Sequence, residues 1–287
     1  MIRALEVLAP GPLALVQDLG RPGHAHLGVP PSGALDAPAL RLANRLVGNP
    51  EGAAGIEALL GGLEVRAGAS CTVAVTGPPV PVAVDGRPVG SHMPVHLAAG
   101  RTLTVGRPET GLRSYLAVSG GVDVEPEMGS RSRDVLSEIG PPPLEPGAVL
   151  PLGPPHGIPV GADTATAPRC PAELAVPVLL GPRADWFDDA AQQLSAPWTV
   201  TSESNRVGLR LGGPALRRTS AREGDELPSE GVLTGAIQVP PNGLPVVFLA
   251  DHPTTGGYPV IGVVLPSALP TLAQARPGTT LRMRPYA

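Results

Sequence analysis

Residues 230–258 read E-G-V-L-T-G-A-I-Q-V-P-P-N-G-L-P-V-V-F-L-A-D-H-P-T-T-G-G-Y, and this stretch decides the fold. It holds two apolar runs of strand character, 236–239 and 245–250, separated by Pro240-Pro241-Asn242-Gly243. Asn and Gly tolerate positive φ, so the spacing predicts a β-hairpin turned at these four residues. Asp251, Thr254, Thr255, Gly256, Gly257 and Tyr258 follow the second run. Polar side chains crowded onto the end of an apolar strand have little packing use there and mark a candidate site.

Working outward, the same texture recurs along the chain. Short apolar runs are punctuated by 37 Gly and 38 Pro, while aromatics supply only 2% of the 287 residues. Such a chain builds its core from Val, Leu, Ile and Ala and turns often, which predicts a mainly β protein. Six runs between residues 55 and 121 repeat at the spacing of a barrel or sandwich. Residues 2–16 add two strands broken at Pro10-Gly11-Pro12. Beyond residue 172, runs at 176–180, 198–200, 207–211, 260–265 and 280–284 extend the pattern. Helices are expected over 36–47, 184–194 and 269–274. The first of these has Asp36 as N-cap, Pro38 in the first turn, Leu35, Ala39, Leu42, Ala43 and Leu46 on one face, and Gly48 as its stop. The Pro-rich residues 154–172 read as a linker between domains at 1–153 and 173–287.

The net charge is −4 and no basic run occurs, which argues against nucleic acid as a partner. No apolar run approaches the roughly 20 residues of a membrane span, and residues 1–7 look like a strand rather than a signal peptide. Cys71 and Cys170 are too few for a disulfide framework, and a cytoplasmic protein is the expectation. The composition lacks lysine entirely, so all 21 basic residues are arginine. A Walker phosphate loop, a lysine Schiff base and lysine-borne biotin are therefore excluded on this chain. Arginine suits bidentate recognition of carboxylate or phosphate. The loop Gly129-Ser130-Arg131-Ser132-Arg133-Asp134 is one candidate anion holder. His24 with His26, and His92 with His96, lack a placed third ligand, and no metal is expected.

Several motifs carry a resemblance in order along the chain. They are Gln17-Asp18-Leu19-Gly20-Arg21, Ser32-Gly33-Ala34-Leu35-Asp36, Asn44-Arg45-Leu46-Val47-Gly48-Asn49, Tyr115-Leu116-Ala117-Val118-Ser119-Gly120-Gly121, Gly129-Ser130-Arg131-Ser132, Ser204-Asn205-Arg206, Gly235-Ala236-Ile237-Gln238-Val239-Pro240-Pro241 and Thr254-Thr255-Gly256-Gly257-Tyr258-Pro259. By these motifs the chain resembles the biotin-dependent carboxyltransferase family, also called allophanate hydrolase subunit 2 or the antagonist of the Kip histidine-kinase inhibitor. The resemblance implies a cyclophilin-like β-barrel architecture in two β-rich halves. It implies the C subunit of an ATP-dependent 5-oxoprolinase complex, which opens 5-oxo-L-proline to L-glutamate. There it works together with an A subunit and a Kip inhibitor-like B subunit, with ATP bound by, or together with, a partner chain. Two alternatives stand beside it: a carboxyltransferase half of a urea carboxylase-like system whose biotin sits elsewhere, and a non-catalytic antagonist of a Kip-type inhibitor. On the first reading Arg131 and Arg206 are expected as anion clamps. Asp251 or Glu230 is expected as a general base or metal contact. Asn205, Gln238, Thr254, Thr255, Tyr258, Arg21 and Asp36 are expected to contact substrate. The sequence departs from the family at Glu138-Ile139-Gly140-Pro141-Pro142-Pro143, which is shortened, and at Val207-Gly208-Leu209, where Met-Gly-Tyr is usual.

Overall fold

The computed structural model describes residues 3–159 and 164–286. The chain forms two compact units. Unit 1 comprises Met1–Arg21, Ser32–Asp134 and Glu138–Cys170. Unit 2 comprises Pro22–Pro31, Val135–Ser137 and Pro171–Ala287. Of the residues 154–172 read from sequence as linker, the described ones up to Cys170 group with unit 1, and two short inner segments of the chain belong to unit 2.

Unit 1 contains β1 (Ala4–Pro10), β2 (Leu13–Gln17), α1 (Ala37–Leu46), β3 (Gly55–Leu59), β4 (Leu63–Ala67), β5 (Cys71–Thr76), β6 (Val82–Val84), β7 (Arg87–Val89), β8 (Val95–Leu97), β9 (Thr102–Val105), β10 (Arg113–Val118) and β11 (Val149–Pro151). They make a six-stranded sheet, β11-β1-β4-β9-β6-β7, and a five-stranded sheet, β2-β3-β10-β5-β8. One apolar core joins Leu5, Val7, Leu63, Val65 and Leu103 of the first sheet to Val16, Ile56, Val73, Leu116 and Val118 of the second. In β4 the period-2 alternation is visible: Leu63, Val65 and Ala67 are buried, with Glu64 and Arg66 between them facing outward. β10 does not alternate, because all six of its residues are buried. Its other face is covered by α1, where Ala117 packs with Ala43 and Leu46, and Tyr115 with Ala39 and Leu40.

The α1 helix starts where its sequence signals place it. Asp36 Oδ1 accepts the Ala39 N–H at 3.1 Å, and Pro38 lies in the first turn. The buried stripe differs by one residue from the sequence expectation. Leu40 is fully buried against Tyr115, whereas Leu42 is only half-buried.

Unit 2 contains β12 (Glu173–Leu180), α2 (Ala190–Leu194), β13 (Pro197–Val200), β14 (Gly208–Gly212), β15 (Glu230–Gly231), β16 (Ala236–Gln238), β17 (Val246–Phe248), β18 (Thr255–Gly256), β19 (Val260–Val264), α3 (Leu269–Ala273) and β20 (Thr280–Tyr286). Seven strands close a barrel in the order β12-β19-β16-β17-β14-β13-β20. Closure comes from the parallel pairing of β12 with β20, Glu173 opposite Thr280 through Leu179 opposite Tyr286. The predicted hairpin is β16–β17, with Ile237 opposite Val247 and Gln238 opposite Val246. Its turn ends at Gly243, whose φ of +73° explains the glycine and whose N–H reaches Pro240 O at 2.9 Å. Fully buried Val176, Val178, Trp198, Ile237, Val247, Ile261 and Leu281 lie on these strands. Trp198, one of the few aromatics, donates its indole N–H to Leu194 O at 3.0 Å. Burial of such a ring removes about 150–250 Å² from water, roughly 4–6 kcal/mol at about 25 cal/mol per Å².

The single helix expected over residues 184–194 is split. Ala184–Trp186 forms a 3-10 turn, Phe187 turns extended to bridge Arg218, and Asp189 takes φ +39° before capping α2 through Gln192 N–H. Among the described residues, no helix is long and apolar enough to cross a membrane.

Candidate functional site

In unit 1 the motif loops converge on one carboxylate. Asp18 accepts hydrogen bonds from Gly20 N–H (2.7 Å), Arg131 N–H (2.7 Å), Ser130 Oγ (2.6 Å) and Ser132 Oγ (2.6 Å). Four donors on one buried carboxylate hold the Gln17-Asp18 loop against the 130–132 loop. Arg21 is 1% exposed and donates to the carbonyls of Ser132 and Glu127. Arg131 donates to Val124 O (2.7 Å) and pairs with Asp123 (2.7 Å), its side chain 35% exposed. Asp36 caps α1, and its own N–H donates to Tyr115 Oη at 2.8 Å. Tyr115 in turn donates to Glu57 Oε2 at 2.8 Å, and Arg113 Nε stands 3.5 Å from Glu57 Oε1. Burial first, then the Glu57 and Asp36 charges, push the Tyr115 phenol well above its ordinary range.

In unit 2 the barrel register explains a buried ion pair. Gly208 lies opposite Phe248, so two residues outward Arg206 comes opposite Ala250, beside Asp251. Arg206 Nε donates to Asp251 Oδ2 at 2.8 Å and Nη2 to Oδ1 at 3.0 Å, with side chains 3% and 0% exposed. Val135 N–H adds a third donor to Asp251 at 3.1 Å. This geometry departs from the expected roles of these two residues. Arg206 is spent on Asp251 rather than presented to an anion, and Asp251 is sealed from solvent behind that guanidinium. Asn205 uses Oδ1 to accept the N–H groups of Val207 (2.8 Å) and Gly208 (3.3 Å), an Asx turn that leads into β14.

The end of the opening stretch folds back on its beginning. β18 pairs with β15, Thr255 opposite Gly231 and Gly256 opposite Glu230, and Val232 N–H reaches Thr254 O at 3.0 Å. Gln238 Nε2 donates to Tyr258 O at 3.2 Å, and a Cβ at Gly256 would stand 2.4 Å from that nitrogen. Glu230, Gln238, Thr254, Thr255 and Tyr258 are thus brought together around this short ladder. Arg21, Asp36 and Arg131 belong to the other unit. Glu230 pairs with Arg183, whose hydrogen bond holds the Glu230 carboxyl below its ordinary value. A carboxylate held ionised in this way is a weakened general base.

Beside the ladder lies a groove of about 880 Å³, within the size range of ligand sites. Buried Phe187, Leu216 and Val239 form its apolar floor, and Tyr258, 44% exposed, stands at its lip. Apart from Asp188, its charged side chains come from the loop 217–226, which the sequence motifs do not include. Its signal is density: R-R-T-S-A-R-E-G-D-E is an unusually charged run in a chain only 16% charged. Trp186 anchors the loop, with the Arg218 and Arg222 guanidinium carbons 5.4 and 5.1 Å from its ring centroid. Arg218 also donates to Asp225 O (2.7 Å), and Arg222 to Asp225 Oδ2 (3.2 Å).

A family profile described as carboxyltransferase domain, subdomain A and B, matches residues 27–285. The chain belongs to this family. It is 41% identical over 278 residues to the 5-oxoprolinase C subunit of Escherichia coli, covering 94% of this chain and 87% of that protein. It is 32% identical to the urea amidolyase of Saccharomyces cerevisiae, covering 98% of this chain but 16% of that protein. Among solved structures, TTHA0988 superimposes with a TM-score of 0.88 at 37% identity, over 98% of this chain and 56% of that one. The urea amidolyase of K. lactis superimposes at 0.92 and 31% identity, over 100% of this chain and 19% of that one.

Proposed function

We propose that this chain is the C subunit of an ATP-dependent 5-oxoprolinase, acting with the A and B subunits to open 5-oxo-L-proline to L-glutamate. The observation that carries the reading is the 41% identity to the C subunit of a 5-oxoprolinase over most of both proteins. The urea amidolyases and urea carboxylase match at 30–34% and through 16–24% of their length. The site geometry fits a chain that contributes to a reaction rather than running it alone. Arg131 is paired with Asp123, Arg183 with Glu230 and Arg206 with Asp251, and Arg21 is held by backbone carbonyls. A lactam is a poor electrophile. Phosphate transferred from ATP to its oxygen, with release of ADP, activates the ring carbon; water adds there, the ring C–N bond breaks as the nitrogen takes a proton, and a second water releases phosphate from the acyl phosphate so formed. Such a step needs donors aimed at developing negative charge. The partly exposed Arg131 and Arg183 are this chain's candidates for that role once a partner draws their carboxylates away.

The test is glutamate formation from 5-oxoproline and ATP by this chain with the purified A and B subunits, leaving each out in turn. Turnover that requires this chain is the expected result. A stable complex with no turnover, or turnover that depends on bicarbonate and is blocked by avidin, would transfer the reading to carboxyl transfer.

A further inference from the structure

We infer that Arg21 and Ser32 form a binding site in unit 1 for one small carboxylate, and that in the complex this is the carboxylate of 5-oxoproline. The second half of that statement rests on the oxoprolinase reading. Three loops meet at the site. The Asp18 carboxylate fastens residues 130–132 to residues 18–20. Ala34 N–H donates to Asp18 O at 2.9 Å, and a Cβ on Gly33 would stand 2.8 Å from Gly20 N, so residues 32–34 lie directly on the same loop. At this junction Arg21 is a charge without a counter-charge. It is 1% exposed, its guanidinium donates to the carbonyls of Glu127 and Ser132, and among the described residues no carboxylate pairs with it. Its Nη1 is buried and meets no acceptor among them. Buried Arg206, by contrast, is matched by Asp251. A buried cation held only by neutral groups keeps most of its desolvation cost, and an anion that joins it relieves that cost. Ser32 is the second observation. It holds φ +52°, a region that glycine favours, and its hydroxyl is buried without a partner among the described residues. Strain and an unmet hydroxyl at one residue are both accounted for when that hydroxyl donates to a bound anion. One guanidinium N–H and one hydroxyl match a singly charged carboxylate, whereas a phosphate dianion would leave charge and acceptors unmet. The two residues are the roots of one loop, 22–31, whose residues 22–28 are exposed apart from half-buried His24, and the ligand enters as that loop yields.

The experiment sets 5-oxoproline against 2-pyrrolidinone, the same lactam without its carboxylate. The A and B subunits are combined with the wild-type chain, Arg21→Gln, Ser32→Gly or the exposed Arg101→Gln, and ATP-dependent ring opening of both lactams is measured. The wild type is expected to prefer 5-oxoproline. Arg21→Gln should raise the KM for 5-oxoproline about a hundredfold and Ser32→Gly about tenfold, as hydrogen bonds to a charged group are lost, with the KM for ATP unchanged. Neither should change the opening of 2-pyrrolidinone more than about twofold, so the preference collapses. Arg101→Gln, which alters a surface pair with Asp85, should match wild type. Ser32→Gly guards against a folding artefact: glycine accepts φ +52°, so this variant should melt no lower than wild type. The isolated chain is read separately by thermal shift with 5-oxoproline, acetate and inorganic phosphate, and Arg21-dependent stabilisation by both carboxylates is expected. An undiminished preference for 5-oxoproline in Arg21→Gln overturns the inference. So does stabilisation by phosphate alone, which would make the site a phosphate holder, and so does stabilisation by none of the three. Turnover that requires this chain but keeps its preference in Arg21→Gln refutes the carboxylate site alone. No turnover of either lactam, beside Arg21-dependent stabilisation by acetate, refutes the oxoprolinase reading alone.

Discussion

Removing the Arg206 side chain should cost unit 2 much of its stability, and the structure sets the size of the loss. Asp251 is 0% exposed, and two of the three hydrogen bonds its carboxylate accepts come from this guanidinium. In Arg206→Leu a carboxylate would stay buried with a single peptide N–H. Stripping one partner from a buried pair costs about 3–5 kcal/mol, mostly the penalty of the orphaned charge. For a unit of about 130 residues this lowers the midpoint of thermal unfolding by roughly 10–20 °C. The chain's two tryptophans, Trp186 and Trp198, both lie in unit 2, so urea unfolding followed by tryptophan fluorescence reports that unit. The double variant Arg206→Met/Asp251→Leu removes both charges and should recover most of the loss, because no uncompensated ion remains. A single variant within about 1 kcal/mol of wild type would refute the reasoning, as would a double variant no better than the single. The result also governs how activity data are read. Loss of turnover in an Arg206 variant would report an unfolded barrel before it reported a missing anion clamp.

Two further predictions concern unit 1. Tyr115→Phe removes the hydroxyl between Asp36 N–H and Glu57 and should destabilise the unit by about 1–3 kcal/mol, read as earlier exposure of α1 amides in hydrogen exchange. Burial pushes the Cys71 thiol from 9.0 up to about 11, with Arg3 opposing the shift. A raised folded pKa means that its contribution to stability is fully present below about pH 9 and lost as pH rises toward about 11. In the folded chain at pH 8, a thiol reagent should therefore modify the half-buried Cys170 and spare Cys71, and Cys71→Ala should flatten the alkaline decline in stability.

The features legible in the sequence were those fixed by neighbours along the chain. Pro240-Pro241-Asn242-Gly243 marked the hairpin because turn chemistry is local, and Asp36 marked the start of α1 because a cap acts within three residues. What escaped depends on distant partners. The residues of the Arg206–Asp251 pair are 45 apart in sequence and meet only through the β14–β17 register. Motif residues such as Arg131 stood out as types, but nothing in the spacing tells that Asp123 and Val124 O already occupy that guanidinium. Asp189 breaks the helix expected over 184–194 by taking φ +39°, a conformation an Asp tolerates but does not announce. The groove loop was missed because charge density alone reads as solvated surface until Trp186 is seen beneath it.

Barrel closure sets a clock on biosynthesis. β12 is the first barrel strand to leave the ribosome, and its parallel partner β20 is the last of the seven. At about 5–20 residues per second, the roughly 107 residues from Glu173 to Thr280 take roughly 5–20 s to appear. Through that interval β12 has an open edge, and its three buried side chains, Leu174, Val176 and Val178, have no finished interior to enter. The nascent chain is therefore most dependent on chaperones while this half-barrel waits for β20.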